Sequence, residues 1–364
     1  MKGSIRVATI LGIPIQIHWT FSLLILWLVY DGSANGLSPA GIKWYLLLMA
    51  ALFVCVLLHE YGHALAARRY GIRTHDITLS PIGGLARLDR LPEKPKQELI
   101  VAIAGPLVNV VIACIIYIVL KIILGKNISA TEDTIAIFEN PANFFPLLFI
   151  LNIMLVVFNL IPAFPMDGGR MFRALLALKF GRVKATRWAA RLGQLIAILF
   201  LVFAIYNEQP MLGLISIFIF STAMMEYNFV KMDAALNNVT VSNILRQHYT
   251  ILYLSDTMEH AMSEAIKGVE RDFLVFDDWT QQRYGSLPES AIIHAVKNKN
   301  LSAKIEKYVS ASEEYVHTDT PLKVAYAKMR SRKLTILPVY GMAHQLIGVV
   351  DMRAMDYFVA LRNT

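Results

Sequence analysis

Residues 44–63 read Trp44-Tyr45-Leu46-Leu47-Leu48-Met49-Ala50-Ala51-Leu52-Phe53-Val54-Cys55-Val56-Leu57-Leu58-His59-Glu60-Tyr61-Gly62-His63. An apolar run of this length ends by delivering three ionisable side chains to membrane depth. Such groups are costly there unless they pair, ligate or react. On a helix, His59 and His63 stand four apart on one face, so both imidazoles can reach one metal ion. Glu60 is turned about a quarter-circle away and is placed to hold a water rather than to ligate. The spacing is H-E-x-x-H, which predicts a metal centre for hydrolysis. Cys55 lies four residues before His59 and eight before His63. That is about 12 Å of helical rise, too far for Cys55 and His63 to share one ion, so Cys55 is read as an ordinary buried cysteine.

Working outward, the 364 residues allow two domains, and the hydrophobic fraction of 56% indicates a membrane protein. Apolar runs at about residues 17–30, 44–67, 99–124, 143–164, 188–206 and 211–229 predict a polytopic α-helical protein of about six spans. The first run is followed by Asp31-Gly32 and not by a small-residue cleavage site, so no cleavable signal peptide is expected. Cys55 and Cys114 both fall inside runs, which leaves no disulfide framework. The net charge of +8 is distributed by topology. Basic residues cluster from Arg68 to Lys96 and from Arg170 to Arg191, after the second and fourth runs. The other loops carry Asp31, Glu132, Asp133, Glu139 and Glu208. The positive-inside rule then puts both termini and both basic loops in the cytoplasm, with His63 about 8 Å inside that interface. No basic stretch interleaved with aromatics lies on a soluble face, which argues against nucleic acid as a partner.

Residues 4–17 alternate loosely and suggest one short strand at the membrane surface. His18 is read as structural and Trp19 as part of an interfacial aromatic belt. After the second run, His75 to Leu88 holds two β-type stretches around Pro81 and Gly83-Gly84, a hairpin or kinked loop. Its exposed edge can pair with an extended substrate, or the segment is a plain surface connector. The third run opens Ala104-Gly105-Pro106-Leu107-Val108-Asn109, where Gly105 allows close helix approach and Asn109 adds an amide on the same face. Helix packing explains both equally well.

The fourth run ends Phe158-Asn159-Leu160-Ile161-Pro162-Ala163-Phe164-Pro165-Met166-Asp167-Gly168-Gly169-Arg170. Two prolines three apart cannot continue a helix, so Asp167 sits on a broken segment at about the depth of His63. A catalytic zinc takes three protein ligands and keeps one position open. Asp167 is the best third ligand; Asp76 and Asp89 compete from more charged loops, and a helix cap or a bond to Arg170 is the plain alternative. The Asn159 amide is available for substrate backbone or an oxyanion, or for packing.

These motifs, in this order, resemble the site-2 protease family over roughly residues 1–230. The resemblance implies an intramembrane zinc metalloprotease within the lipid bilayer, holding one zinc per chain through His59, His63 and Asp167. It implies Glu60 as catalytic acid/base, a substrate contact at Asn159, and membrane-spanning or membrane-associated proteins as substrates. Gly105, Asn109, Gly83 and Gly84 are the further substrate-binding candidates. A membrane zinc transporter or sensor, and an inactive scaffold, are the competing readings. Ligand candidates gathered at one depth argue against the first, and intact Glu60 against the second.

Beyond Phe229 polarity rises, and a second domain is expected over 239–364. It repeats itself. A helix from Asp256-Thr257 to about Lys267 is followed by Phe273–Phe276 and Tyr284–Leu287. A helix from Thr320-Pro321 to about Ser331 is followed by Ile336–Val339 and Leu346–Val350. The offset of 63 to 64 residues and the β-α-β-β-α order resemble a tandem pair of cystathionine-β-synthase (CBS) domains, an α/β module. The resemblance implies a cytoplasmic regulatory part and a possible route to homodimers. Where adenosine-binding copies carry a hydroxyl and then an Asp, this chain has Pro288 and Ala291, and Asp351 and Ala354. Those departures argue against adenine nucleotide and for a structural, dimerising or gating role.

Overall fold

The computed structural model describes residues 3–362 apart from 82, 90, 91, 93, 124–137, 139 and 269. Arg90, Glu132, Asp133 and Glu139, used above for charge topology, lie outside the described residues, as does the last residue of the third run. The chain divides into two compact units, Met1–Val230 and Lys231–Thr364.

The first unit opens with a hairpin instead of the single strand expected over 4–17. Strand β1 (Ser4–Ile10) pairs antiparallel with β2 (Ile13–His18). The reversal occurs at Leu11 and Gly12, whose φ values are 53° and 81°. Two successive left-handed residues match the twist of the flanking strands. Apolar residues alternate straight through that turn, which conceals it in the sequence.

After β2 come α1 (Phe21–Ala34) and α2 (Pro39–Arg68), then β3 (Thr74–Ser80) and β4 (Gly83–Leu88). The four strands form one sheet in the order β1-β2-β3-β4, with β2 and β3 parallel and β4 at an edge. Ser38 accepts the Gly41 amide at 3.1 Å and Pro39 starts α2, a strong helix-initiation pair. The sharp turn into β4 uses Gly83 at φ +132°, a conformation that a Cβ would strain.

Helix α3 (Pro95–Ile118) continues as a π-helical turn, Val119–Ile123. Helix α4 (Phe144–Leu160) stops where Pro162 forbids continuation. An irregular stretch leads to α5 (Asp167–Phe180), then α6 (Arg182–Tyr206) and α7 (Pro210–Leu236). Among the described residues, five helices are long and apolar enough to cross a membrane: α2, α3, α4, α6 and α7. The first of the six expected runs is α1, only 14 residues long. Its rise of about 21 Å falls short of a hydrocarbon core of about 30 Å. The run at 17–30 has no more residues than α1, and its first two belong to β2.

The second unit contains the expected repeat. Its first copy comprises β5 (Ile251–Tyr253), α8 (Met258–Lys267), β6 (Phe273–Phe276), β7 (Arg283–Leu287) and α9 (Glu289–Lys297). After a short β8 (Ser310–Ala311), the second copy runs through β9 (Val316–His317), α10 (Leu322–Arg332), β10 (Ile336–Tyr340), β11 (Leu346–Asp351) and α11 (Met352–Arg362). In both copies the first strand lies parallel to the second, and the second antiparallel to the third. Each copy buries its own apolar cluster, around Met258 and Phe273 in one and around Leu322 and Met329 in the other.

Candidate active site

His59 and His63 project from one face of α2, and Asp167 is the first residue of α5. The break at Pro162–Pro165 brings that helix start against the middle of the bundle. Asp167 Oδ2 lies 3.1 Å from His59 Nε2 and 3.0 Å from His63 Nε2. The two Nε2 atoms are 3.1 Å apart, and all three residues are buried. A carboxylate at a helix N-terminus also complements the helix dipole.

The outer nitrogens decide what the inner ones are. His63 Nδ1–H donates to the Val101 carbonyl at 2.7 Å. His59 Nδ1–H donates to Asn109 Oδ1 at 2.6 Å. The Asn109 amide then donates to Asn152 Oδ1 at 2.9 Å, and Asn152 donates to the Leu148 carbonyl at 2.8 Å. With both Nδ1 protons committed, each neutral imidazole turns an Nε2 lone pair inward. Two lone pairs and a carboxylate oxygen this close repel one another unless a cation sits between them. Zinc bonds of about 2.0–2.1 Å in tetrahedral array would separate ligand atoms by about 3.3 Å, near the observed spacing. The donor set fits zinc, and among the described residues it is the one group of three such ligands that converges.

Gly105 is part of that fit. A Cβ there would lie 2.7 Å from His59 Nε2 and closer still to His63 Nε2. Gly105 and Asn109 therefore stand directly against the imidazoles, with Asn109 wholly buried behind His59. The middle residues of the motif also have structural work. Tyr61 donates its hydroxyl to the Ile10 carbonyl at 3.0 Å, tying α2 to the β1–β2 hairpin. A Cβ on Gly62 would come 2.6 Å from the Ala104 carbonyl, so glycine lets α3 approach α2.

Glu60 leaves the ligand face and lies along β4. The Ala86 N–H donates to Glu60 Oε2 at 3.1 Å. Gly84 makes room, since a Cβ there would sit 2.6 Å from Glu60 Cγ. Because β4 is a sheet edge, the Ala86 amide points away from β3 and toward Glu60. Asn159, near the end of α4, is half-buried and its amide has no hydrogen-bond partner among the described residues.

The competing carboxylates are occupied elsewhere. Asp76 is buried on β3 in an ion pair with Arg87, and its carboxyl is held below the usual range, chiefly by the Arg87 hydrogen bond. Asp89 pairs with His75. His18 bonds the Thr20 hydroxyl at 2.8 Å. Cys55 meets the Asn152 amide and stands apart from the ligand group. Sequence reasoning missed Asn152, whose signal was an amide in the middle of an apolar run. It also missed the Val101 carbonyl and the Ala86 amide, which as backbone groups carry no signal at all.

A zinc metalloprotease of Methanocaldococcus jannaschii is 38% identical over 362 residues, covering 98% of this chain and 97% of that protein. The chain belongs to the site-2 protease family. The family model described as Peptidase family M50 matches residues 47–203, which hold all three ligands and Glu60. A solved site-2 protease from the same organism aligns at a TM-score of 0.46 and 38% identity, over 62% of this chain and 95% of that one. CBS domains of a transcriptional regulator from Streptococcus pneumoniae align with 33% of this chain and 99% of theirs, at a TM-score of 0.28 and 23% identity. This site-2 protease is thus a multi-pass zinc metalloprotease with His59, His63 and Asp167 as its metal site.

Proposed function

We propose that this protease hydrolyses peptide bonds of membrane-spanning or membrane-associated proteins, with Glu60 as general acid/base and β4 as the rail that holds substrate extended. The observation that carries the reading is the Glu60–Ala86 contact, which joins the motif's spare carboxylate to an open sheet edge. Bound zinc supplies an activated water and polarises the scissile carbonyl. Glu60 keeps one carboxylate oxygen clear of Ala86, able to take a proton from the attacking water and return it to the departing amine. A substrate carbonyl that pairs with the Ala86 N–H displaces the other oxygen, so docking and release of the base are coupled. The unpartnered Asn159 amide suits a substrate carbonyl. Gly83 and Gly84 keep the entry to β4 clear of side chains, while Gly105 and Asn109 act on the histidines.

Both termini are assigned to the cytoplasm. The basic segments at 68–96 and 170–191 support this, and it requires α1, shorter than the hydrocarbon core, to make the sixth crossing by thinning the bilayer around it. The CBS-like pair is assigned a regulatory role, and its sheets offer a route to homodimers. Glu60→Gln tests the chemistry. The variant retains zinc, because all three ligands survive, and loses cleavage by roughly 10²–10⁴-fold or more. Membrane proteomics against wild type then identifies the spanning proteins that accumulate uncut. Substantial cleavage by zinc-replete Glu60→Gln protein would remove Glu60 from the mechanism.

A further inference from the structure

Arg173 counts in the sequence as one more basic residue of a cytoplasmic loop, yet in the structure it is fully buried. It stands on α5, six residues after Asp167. Its Nε donates to Glu98 Oε1 on α3 at 2.8 Å, Nη2 joins the same oxygen, and Nη1 pairs with Glu226 on α7. The guanidinium carbon lies 5.0 Å from the centre of the Phe164 ring, within the irregular stretch that precedes Asp167. Glu98 is itself buried, three residues before Val101, whose carbonyl fixes His63.

From this arrangement we infer that Arg173 and Glu98 are positioning residues that set the register of Asp167 against the histidine pair. Helix α3 touches both halves of the metal site. Through Val101, Gly105 and Asn109 it holds and spaces the imidazoles, and through Glu98 it grips the helix that brings Asp167. Residues three apart share a helix face, so the two grips lie on the same side of α3. Sliding α5 by one residue along its axis moves Asp167 by about 1.5 Å. Metal–ligand distances tolerate deviations of only about 0.2 Å. Apolar packing of α5 alone is a poor guard against such a slip, because its buried neighbours Gly168, Gly169, Ala174 and Ala177 are small. A planar guanidinium with two fixed carboxylates and a ring beneath it admits one register.

The inference rests on the metal site, and the test separates the two. Full-length wild type, Arg173→Lys, Glu98→Gln and Glu226→Gln are purified in detergent. Zinc affinity is measured by chelator competition, and cobalt(II) replaces zinc so that its absorption reports coordination. Wild type that takes up no zinc or cobalt would defeat the metal site itself. With wild type loaded, Arg173→Lys, which keeps the charge and loses the fork, binds zinc roughly 10–100-fold more weakly. Its cobalt spectrum departs from the tetrahedral pattern. Glu98→Gln shifts both readouts the same way and Glu226→Gln less, and these two carry the test should Arg173→Lys fail to fold. Unchanged affinity and an unchanged cobalt band in folded Glu98→Gln protein, even with a lowered Tm, would reduce the cluster to structural support and overturn the inference.

Discussion

Gly105 shows how much one missing methyl group decides here. Its Cα faces two imidazole nitrogens that must stay clear to bind metal, and a Cβ would meet both inside van der Waals contact. Neither histidine can retreat, since each is pinned through Nδ1 to α3. Gly105→Ala should therefore fold with α2 and α3 still packed, yet hold zinc more weakly than the roughly 10–100-fold loss typical of changes behind a ligand. Elemental analysis of the purified variant checks this, and full zinc occupancy would show that the site can yield. Glycine was noticed here for helix approach, and helix approach is indeed served by Gly62. What Gly105 touches was beyond reach of spacing arguments, because it depends on how far α3 is rotated toward α2.

Strand β4 gains its interest from being unpaired on one side. The Leu79↔Gly84 and Ile77↔Ala86 pairings set its register on β3, leaving the Ala86 N–H turned outward. Proline at an outward-facing edge position removes a donor without breaking the ladder behind it. Ala86→Pro should accordingly keep the sheet and the metal while losing most cleavage of extended substrates. Cleavage assays on zinc-replete protein, with hydrogen exchange reporting the sheet, distinguish the outcomes. Wild-type cleavage would show that substrate does not use this edge. The hairpin itself was legible from the Pro81 and Gly83-Gly84 punctuation. Its adjacency to Glu60 was not, since β3 enters the sheet beside β2, more than fifty residues earlier in the chain.

Across the molecule, two expectations concern arrangement and ligand. Cysteines placed at Lys94, Lys184 and the exposed Met342 should react with impermeant reagents only from the cytoplasm, and one at Glu132 only from outside. Shared sidedness of the Lys94 and Glu132 sites would overturn the six-crossing topology, α1 included. In the second unit, a cleft of about 720 Å³ is lined by Ser286, Pro288, Ser312, Glu314, Arg332 and Thr335, among others. Its size suits a ligand, but Pro288 supplies no hydroxyl there. Glu314 pairs with Lys328 and Arg332, which leaves Lys333 as the one lining cation without a carboxylate partner among the described residues. Asp351 is taken as well, accepting the Ala354 amide at 2.7 Å and pairing with Arg246. Calorimetry of the 239–364 fragment with ATP, AMP and S-adenosylmethionine should show weak binding or none. Tight binding of any of them would mean that the cleft recognises adenosine by other groups.

What could be read from the chain alone were the features that depend on local order. They include the long apolar runs, the i, i+4 histidines with a carboxylate between them, the proline break before Asp167, and the repeated β-α-β-β-α pattern. Each follows from periodicity or from backbone chemistry within about twenty residues, which a linear sequence records directly. Folding in three dimensions supplied the rest. It selected Asp167 over Asp76 and Asp89 by giving those two partners of their own, Arg87 and His75. It turned Gly105 and Asn109 toward the histidines, and it moved Arg173 from a loop charge to a buried clamp. It also left α1 too short to count as a span by length. The physical reason for the other three is the same: which partner a side chain finds depends on helix rotation and axial offset. Those are set by packing between segments tens of residues apart, and no local pattern encodes them.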